Sequence, residues 1–562
     1  MKKTLYVILA ALLICGLLSG CKGKLKDTET WETKPNLPSV ETQSAESEVE
    51  QKTITKITLS DSGIIVDGED ASTDSASNVY VSNDIVYYMD GQDFKYGEGD
   101  DNDAHSAEES GKHTVINITK AGEYSVSGKL SYGQIAVDLG EEAADDPETV
   151  VTLVLDGVDI TCTVAPAVIF YSVYECGSTD TESASAEVDT AGAGARVLIS
   201  DGSTNTVNGS YVAKIYKPGT LELSEDGAEV LDAKKLHKYD GAFYSRMSMR
   251  IDGGEKGDGI LNINAENEGL GTELHLTING GVININSGND GINTNEDNVS
   301  VTTVNGGILN ITVNGDTGEG DGIDSNGWLV INGGTVISQA CAFSGDAGID
   351  SDCGIHINGG VIFSTGNMLD AIGDSTQTYA VFTFQESQSE GTYTLKNADG
   401  EAVVSQQIEN SFRYLIVSSP EMIAGEYSLT RDDAKFCGVR ADADSMGGMG
   451  AGAPPKDMGS SNGMILPEGM EPPAGMIPPD GAGSGLRGDE PARPEGEFPE
   501  SGMLGGGQRP PERPDGTGQP EDKGRPEDGF GNGPVAENIG EVSDVFVIEA
   551  GENYFVSVRE YK

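Results

Sequence analysis

One repeat limits what this chain can fold into more than any other feature of its sequence. The tripeptide Asn-Gly-Gly begins at residues 279, 305, 332 and 358, so its spacings are 26, 27 and 26 residues. A second landmark, an apolar residue that mostly follows Asp-Gly or a near variant of it, recurs with a similar period. Its members are Leu270, Ile292, Ile323, Ile349 and Ile372, and Phe243 extends the series backwards. A period of this length is typical of proteins built from stacked, similar turns.

The residues around each Asn-Gly-Gly predict strands with one inward face. Leu274, Leu276 and Ile278 precede the first copy at alternate positions, and Ile283 and Ile285 follow it. Equivalent residues of successive turns would stack at ~4.8 Å, and glycine supplies the positive φ of a sharp corner. We therefore predict an all-β fold, a single-stranded parallel β-helix, or solenoid, that is right-handed by the general crossover rule.

Composition divides the chain into segments that differ in their ability to form a core. The segment before the β-rich part is polar, and the segment after it is rich in Gly, Pro and Met. Such segments bury too little apolar area to fold. The predicted segments are a lipoprotein signal peptide (1–20), a disordered tether (21–53), a parallel β-helix domain (54–441, with the clearest repeats at 243–375), a disordered low-complexity excursion (442–537) and closing β-strands (538–562).

The first residues indicate export and lipid attachment. Lys2 and Lys3 precede an apolar run that is too short to span a membrane. The run ends in Leu18-Ser19-Gly20-Cys21, the pattern of a bacterial lipobox, in which the cysteine thiol takes the lipid. We therefore expect lipidation at Cys21, a location on the extracellular face of the cell membrane, and membrane contact through the lipid anchor alone.

Charge and cysteine content narrow the set of partners. The formal net charge of −57, from 92 Asp and Glu against 35 Lys and Arg, repels nucleic acid and favours cations. Calcium is the extracellular cation that carboxylates bind most readily. After Cys21 the chain has five cysteines without zinc spacing. We interpret them as small buried hydrophobes and leave a Cys341–Cys353 bridge open.

These repeats resemble the bacterial family of carbohydrate-binding domain-containing proteins. The resemblance also includes the stretches at 121–128, 151–158 and 200–205 and the Gly/Met/Pro-rich segment. It implies a β-helix similar to those of pectate-lyase-type enzymes, binding to cellulose-like or acidic plant polysaccharides, and calcium bound on the helix. Two departures weaken attraction for anionic sugars: turns such as 293–296 carry no Lys or Arg, and an acidic insert lies near 177–195.

Acidic and amide side chains accompany the apolar landmark on successive turns. If the turns stack, like charges would lie about 5 Å apart, and a cation between them would convert repulsion into coordination. A solvated acidic ridge is the alternative. The candidate calcium ligands are Asp290, Asn293, Asp321, Asp324, Asp346, Asp350, Asp352 and Asp370.

Two ring-bearing residues are candidates for sugar contact. Trp328 alternates with inward-facing Leu329, so its indole is expected to face outward, where a ring can stack on the apolar face of a sugar. His275 occupies the equivalent position two turns earlier. Cover by a neighbouring loop or by the low-complexity excursion is the alternative for Trp328.

The sequence favours a non-catalytic, calcium-stabilised polysaccharide-binding lipoprotein of the cell surface. One alternative is a calcium-dependent polysaccharide lyase of pectate-lyase type, with Lys256, Arg246 or Arg250 as base. The other is a protein-binding surface adhesin.

Overall fold

The structure, a computed structural model, describes residues 54–442 and 542–561. The predicted signal peptide, the tether with Cys21 and nearly all of the excursion lie outside the described residues. Helix is confined to the single turn Ala107–Ser110 and the 3₁₀ turn Ala143–Asp145 in the described part, and the other regular elements are strands. The predicted all-β class is confirmed. No described helix is long and apolar enough to cross a membrane.

Most of the strands belong to three sets of parallel, in-register pairs, here called ladders A, B and C. Ladder A consists of Thr55–Leu59, the first halves of Gly122–Leu130 and Val151–Cys162, then Ala195–Ile199, Met249–Gly253, Leu276–Ile278, Val301–Val304, Trp328–Ile331 and Gly354–Ile357. Ladder B consists of the second halves of the two long strands, then Thr204–Gly209, Ile260–Ala265, Val282–Ser287, Ile308–Val313, Thr335–Gln339 and Val361–Gly366. Ladder C consists of Thr114–Ile118, Gly133–Asp138, Val168–Ser172, Gly241–Ser245, Glu268–Thr272, Ile292–Thr294 and Ile323–Ser325.

The Asn-Gly-Gly copies form the corner between ladders A and B. The second glycine of each copy takes the positive φ expected for it, 88° at Gly281, 84° at Gly307, 80° at Gly334 and 88° at Gly360. A Cβ at Gly307 would lie 2.6 Å from the carbonyl oxygen of Gly281, so the corners also need glycine for close approach. The asparagines also bond to one another from turn to turn.

The aliphatic members of the three ladders share one core. Phe243, Leu270, Ile292 and Ile323 pair in register, and the backbone N–H of Ile323 bonds to Gly348 O. Ile323 and Ile349 are both fully buried in this core, as predicted. Ile372 was expected in the same column, and that expectation is wrong. Ile372 bridges to Ile355 of ladder A and is only partly buried.

Additional short strands lie beside the ladders. Short antiparallel pairs lie near the start of the described chain and in a hairpin between ladders B and C. They are Ile65–Val66 with Glu69–Asp70, Val79–Ser82 on Thr114–Ile118, Val212–Tyr216 with Lys235–Tyr239, and Glu222–Leu223 with Val230–Asp232.

Apart from the parallel bridge of Ile372 to Ile355, parallel pairing along the ladders stops at Gly366 instead of continuing to residue 441. The strands beyond it pair mostly antiparallel and enclose a second core rich in phenylalanine. They are Tyr379–Gln388, Gly391–Asn397, Ala402–Ile408, Phe412–Ser418, Gly425–Arg431, Ala434–Ala441, Phe546–Ile548 and Glu552–Glu560. Phe412–Ser418 pairs with Val361–Gly366, so this part covers a sheet edge that would otherwise stay open.

Candidate functional site

Two columns of oxygen-bearing side chains lie beside the buried residues of ladder C. The first column contains the residue that directly follows each apolar residue. In it, Asn293 pairs with Asp324, and Asp350 follows on the next turn. Two residues before the apolar column stand Glu268, Asp290 and Asp321. Hydrogen bonding continues the stacking, since Asp350 N–H donates to Ile323 O at 2.7 Å.

Backbone N–H groups of the next turn bind some of these carboxylates. Asp290 Oδ1 accepts from Asp321 N–H at 2.7 Å, and Asp321 Oδ1 accepts from Ala347 N–H at 2.5 Å. Asp346 and Asp370 instead accept from the preceding turn, from Gly320 N–H at 2.7 Å and Ser351 N–H at 3.1 Å. These bonds fix the carboxylates but bring no positive charge.

Burial disfavours ionisation of the column. Loss of hydration raises the pKa of Asp290, Asp324 and Asp350 to about 7 and that of Asp321 to about 9, and neighbouring carboxylates add to the shift. Burial is likewise the main cause that raises the pKa of Glu268, Asp352 and Asp370. In the described part of the chain, none of these seven carboxylates forms an ion pair with Lys or Arg.

Glu268 is a member of the site that the sequence reasoning missed. It stands two residues before Leu270, where Asp290 stands relative to Ile292, so the repeat itself carried the signal. Asn293 Nδ2 donates to Glu268 Oε1 at 3.0 Å and to Asp290 Oδ2 at 3.4 Å. Glu268 Oε2 and Asn293 Oδ1 are buried and accept no hydrogen bond.

The unpartnered oxygens of Glu268 and Asn293 provide a test of whether calcium fits at this position. Carboxylate and amide oxygens are calcium's usual ligands, and an uncompensated buried acceptor is costly, so the donor set suits the ion. Among the described residues, however, no three His, Cys, Asp or Glu side chains form a group that could hold a metal ion. Asn293 and backbone carbonyls would therefore have to complete any coordination shell.

The remaining predicted ligands lie at the edges of the column. Asp346 and Asp370 are partly buried, whereas Asp352 is exposed, with its backbone N–H bonded to Ser325 O. Asp370 contacts the turn at Ser351 although its neighbour Ile372 belongs to a different ladder.

The second candidate region is the outer face of ladder A. The register of ladder A aligns His275, Val301 and Trp328 in one column, in which Val301 is fully buried. His275 is likewise only 5% exposed, because the insert at 177–191 lies over it. A Cβ at Gly177 would stand 2.7 Å from the His275 ring.

His275 therefore does not present its ring to solvent, and that part of the prediction is wrong. Its Nδ1 accepts a hydrogen bond from Val301 N–H at 3.2 Å, and burial lowers its pKa to about 4. The ring is a neutral packing element beneath the insert. Trp328, by contrast, is only partly buried.

Both candidate regions, on ladder C and on ladder A, lie within the part of the chain that resembles known proteins. A model of the carbohydrate-binding domain-containing protein family matches residues 112–410, more than half of the 562 residues. The chain belongs to this family. A carbohydrate-binding domain-containing protein of Acetivibrio thermocellus is 30% identical over 167 residues, which are 30% of this chain and 43% of that relative. The match thus spans less than half of the relative's length.

One solved structure is also similar to this member of the carbohydrate-binding domain-containing family. It is a polysaccharide lyase-like protein from C. thermocellum, studied as a gadolinium derivative. The TM-score is 0.33 and the sequence identity 22%, over 57% of this chain and 94% of that chain.

The basic residues considered for a lyase have separate contacts in this family member. Arg250 Nε binds both oxygens of Asp252, at 3.0 and 2.8 Å. Lys256 and Arg246 are exposed, and Lys256 lies in a turn whose backbone N–H donates to Asp201. All five cysteines in the described residues are free, so the Cys341–Cys353 bridge is not formed.

A groove runs along the outer face of ladder A in the matched region. Its volume is about 720 Å³. The residues that line it are Ala186, Glu187, Val188, Asp189, Thr190, Ala191, Arg250, Thr277, Asn279, Thr303, Asn305, Val330, Asn332 and Asn358.

Proposed function

We propose that this chain is a non-catalytic polysaccharide-binding lipoprotein of the cell surface, built on a right-handed parallel β-helix. Membership of the carbohydrate-binding domain-containing family is the observation that carries the proposal, because the matched residues 112–410 contain most of the three ladders. The outer face of ladder A lies within this region and carries Trp328 and the groove.

A glycan array tests the binding proposal. The full chain, kept in detergent to hold its lipid, is applied to neutral and acidic plant polysaccharides in buffer with calcium. Retention on at least one polysaccharide class is expected. Absence of binding to every glycan, together with capture of a protein partner from the cell envelope, would instead support an adhesin.

The β-helix proposal is supported by the parallel register of ladders A, B and C. Consecutive turns visit the three ladders in the same order, as in Leu276–Ile278, Val282–Ser287 and Ile292–Thr294. Right-handedness follows the general preference for crossovers between parallel strands. A crystal structure showing left-handed or unstacked turns would contradict it.

Surface attachment is proposed from the sequence at residues 18–21. Cys21→Ala should release the chain into the medium or leave the signal peptide uncleaved, since the diacylglycerol has no other acceptor in the lipobox. Fractionation and mass determination measure both outcomes. Normal processing with unchanged membrane retention would remove the lipoprotein assignment.

We also propose that calcium stabilises ladder C. The residues that would hold it are Glu268, Asp290 and Asn293, or the pair Asp324 and Asp350, in each case with backbone carbonyls to complete the coordination shell. Support comes from the buried, unpartnered oxygens of Glu268 and Asn293 and from carboxyl groups whose pKa burial raises. The ion would add positive charge to carboxyl groups that form no ion pair with Lys or Arg in the described part of the chain.

A further inference from the structure

The floor of the groove is made by consecutive turns of ladder A. Thr277, Thr303 and Val330 pair in register and are 6%, 9% and 8% exposed. Asn279, Asn305, Asn332 and Asn358 run beside them at the Asn-Gly-Gly corners. The floor therefore repeats along the stacking direction at the ~4.8 Å distance between paired strands.

The asparagine row is held in fixed orientation by its own hydrogen bonds. Asn305 Nδ2 donates to Asn279 Oδ1 at 2.9 Å, and Asn332 and Asn358 continue the series at 2.9 and 3.0 Å. Asn279 in turn donates to Asp252 Oδ1 at 2.9 Å. A primary amide has two N–H donors and two acceptor lone pairs, so each amide within the row keeps one of each for a ligand.

The opposite wall is the acidic insert. Thr190 Oγ1 donates to Thr277 Oγ1 at 2.7 Å, which clamps the insert to the floor. Arg196 supports its end through hydrogen bonds from Nε to Ala193 O at 2.8 Å and from Nη2 to Ala191 O at 3.0 Å. The wall is thus positioned before any ligand arrives, which lowers the entropy cost of binding.

The charges of the groove select against an anionic ligand. Arg250 is the only Lys or Arg among the described residues that line it, and both oxygens of Asp252 already bind its Nε. Glu187 and Asp189 add negative charge on the wall. A carboxylated sugar would meet repulsion without a free cation to offset it, whereas hydroxyl groups could bond to the amides.

We propose that this groove binds an extended, uncharged polysaccharide chain that lies along the stacking direction, with its hydroxyl groups bonded to the row of Asn279, Asn305, Asn332 and Asn358. This inference rests on the proposed polysaccharide-binding function and names its site and ligand class. Because the amides are spaced evenly along the stacking direction, they can bond to a polymer whose hydroxyl groups are also spaced evenly.

Calorimetric titration of the full chain tests the site. The probes are cellohexaose, xylohexaose and mannohexaose as neutral chains and hexagalacturonate as an acidic chain, all with calcium present. At least one neutral hexamer should bind at least tenfold more tightly than hexagalacturonate. Asn305→Ala should weaken that binding about tenfold, because two amide bonds of the row and its contacts to the sugar are lost.

The chain offers a matched control on its neighbouring face. Asn284 of ladder B donates to Asn262 and accepts from Asn310, each at 2.8 Å, so it has the same place in a second asparagine row. Asn284→Ala should change the affinity less than twofold while lowering the melting temperature about as much as Asn305→Ala. Hydrogen exchange gives a measurement without mutation: bound hexamer should protect the amides of 186–191.

The possible outcomes distinguish failure of the groove proposal from failure of the proposed polysaccharide-binding function. Equal affinity of Asn305→Ala and the parent chain, or no protection at 186–191, would overturn the groove while leaving polysaccharide binding intact. Binding of hexagalacturonate alone would overturn the uncharged ligand class. Failure of every hexamer and of every polysaccharide on the array would defeat both proposals.

Discussion

Asp290 accepts a hydrogen bond of 2.7 Å from the backbone N–H of Asp321, the residue that occupies the same place one turn later. Asp321 repeats the contact with Ala347 N–H on the following turn. Each carboxylate is thus bound by a neutral donor and faces another carboxylate of the column. We therefore expect the stability of ladder C to depend on pH and on added cations.

The first prediction is that stability falls with rising pH when calcium is removed. A carboxyl whose folded pKa is raised stabilises the fold fully below its unfolded pKa of ~4, and this contribution is lost as the pH rises through the folded value. The folded pKa values are about 7 for Asp290, Asp324 and Asp350 and about 9 for Asp321. The melting temperature in EDTA should therefore decrease from pH 5 to pH 9.

The interval from pH 6 to pH 9 isolates the buried groups, because ordinary carboxylates are already ionised there. Asp321→Asn should flatten the decrease in this interval, since it removes the group with the highest of these pKa values. A melting temperature in EDTA that is constant or rises from pH 6 to pH 9 would contradict the prediction.

The second prediction concerns calcium. Extracellular sites commonly bind calcium with Kd up to ~1 mM, so ~10 mM calcium should stabilise the fold by about 1.4 kcal/mol. Magnesium should do less because it demands tighter octahedral geometry. The double variant Asp324→Asn with Asp350→Asn should be more stable than the parent chain in EDTA, by about 1–3 kcal/mol of relieved repulsion, and should lose most of the calcium response. Thermal unfolding with each ion measures both effects.

The calcium response of the double variant decides between two descriptions of the acids. Added stability in EDTA together with an undiminished calcium response would mean that the ion binds elsewhere and that these acids only repel. Asp352→Asn is the matched control, since Asp352 is exposed and should change the calcium response little.

The third prediction tests the core of the stacked turns. Ile323 is fully buried, whereas Ile308 is 43% exposed on the outer face of ladder B. Ile323→Ala should lower the free energy of unfolding by about 2–5 kcal/mol, through lost burial and the cavity left behind. Ile308→Ala should cost about 0.5 kcal/mol or less. Denaturant titration compares them, and equal costs would mean that Ile323 is not a core residue.

Local periodicity was sufficient to predict the repeated part of the fold. Alternation identified the inward residues of ladders A and B, and the glycine pair identified the corners, because both are properties of a few adjacent residues. The error at Ile372 has a physical reason: the turn there is shorter, so the chain returns to Ile355 of ladder A before it reaches ladder C. Sequence spacing alone does not reveal such a change.

The candidate sites were harder to predict because they depend on distant segments. Nothing near His275 in the sequence shows that the insert at 177–191 folds over it, since that cover is a long-range contact. The asparagine row bonds along the stacking direction, but the groove beside it requires the same insert as a wall. Glu268 was missed because Glu replaced the Asp of the repeat.

The last prediction concerns Trp328. Its indole lies two residues before Val330 on the same face of ladder A and is partly buried, so part of the ring is open to a ligand beside the groove. Trp328→Ala should weaken binding of the preferred polysaccharide by about 1 kcal/mol or more, the order expected for a lost aromatic contact. Phe343→Ala is the control, because Phe343 is 78% exposed and follows ladder B. Affinity electrophoresis in polysaccharide-containing gels measures the retardation of each variant, and circular dichroism checks that both are folded. Retardation reduced for Trp328→Ala alone would make the indole part of the sugar-binding surface. Equal retardation of the two folded variants would mean that Trp328 only packs against its neighbours and that the asparagine groove binds without it.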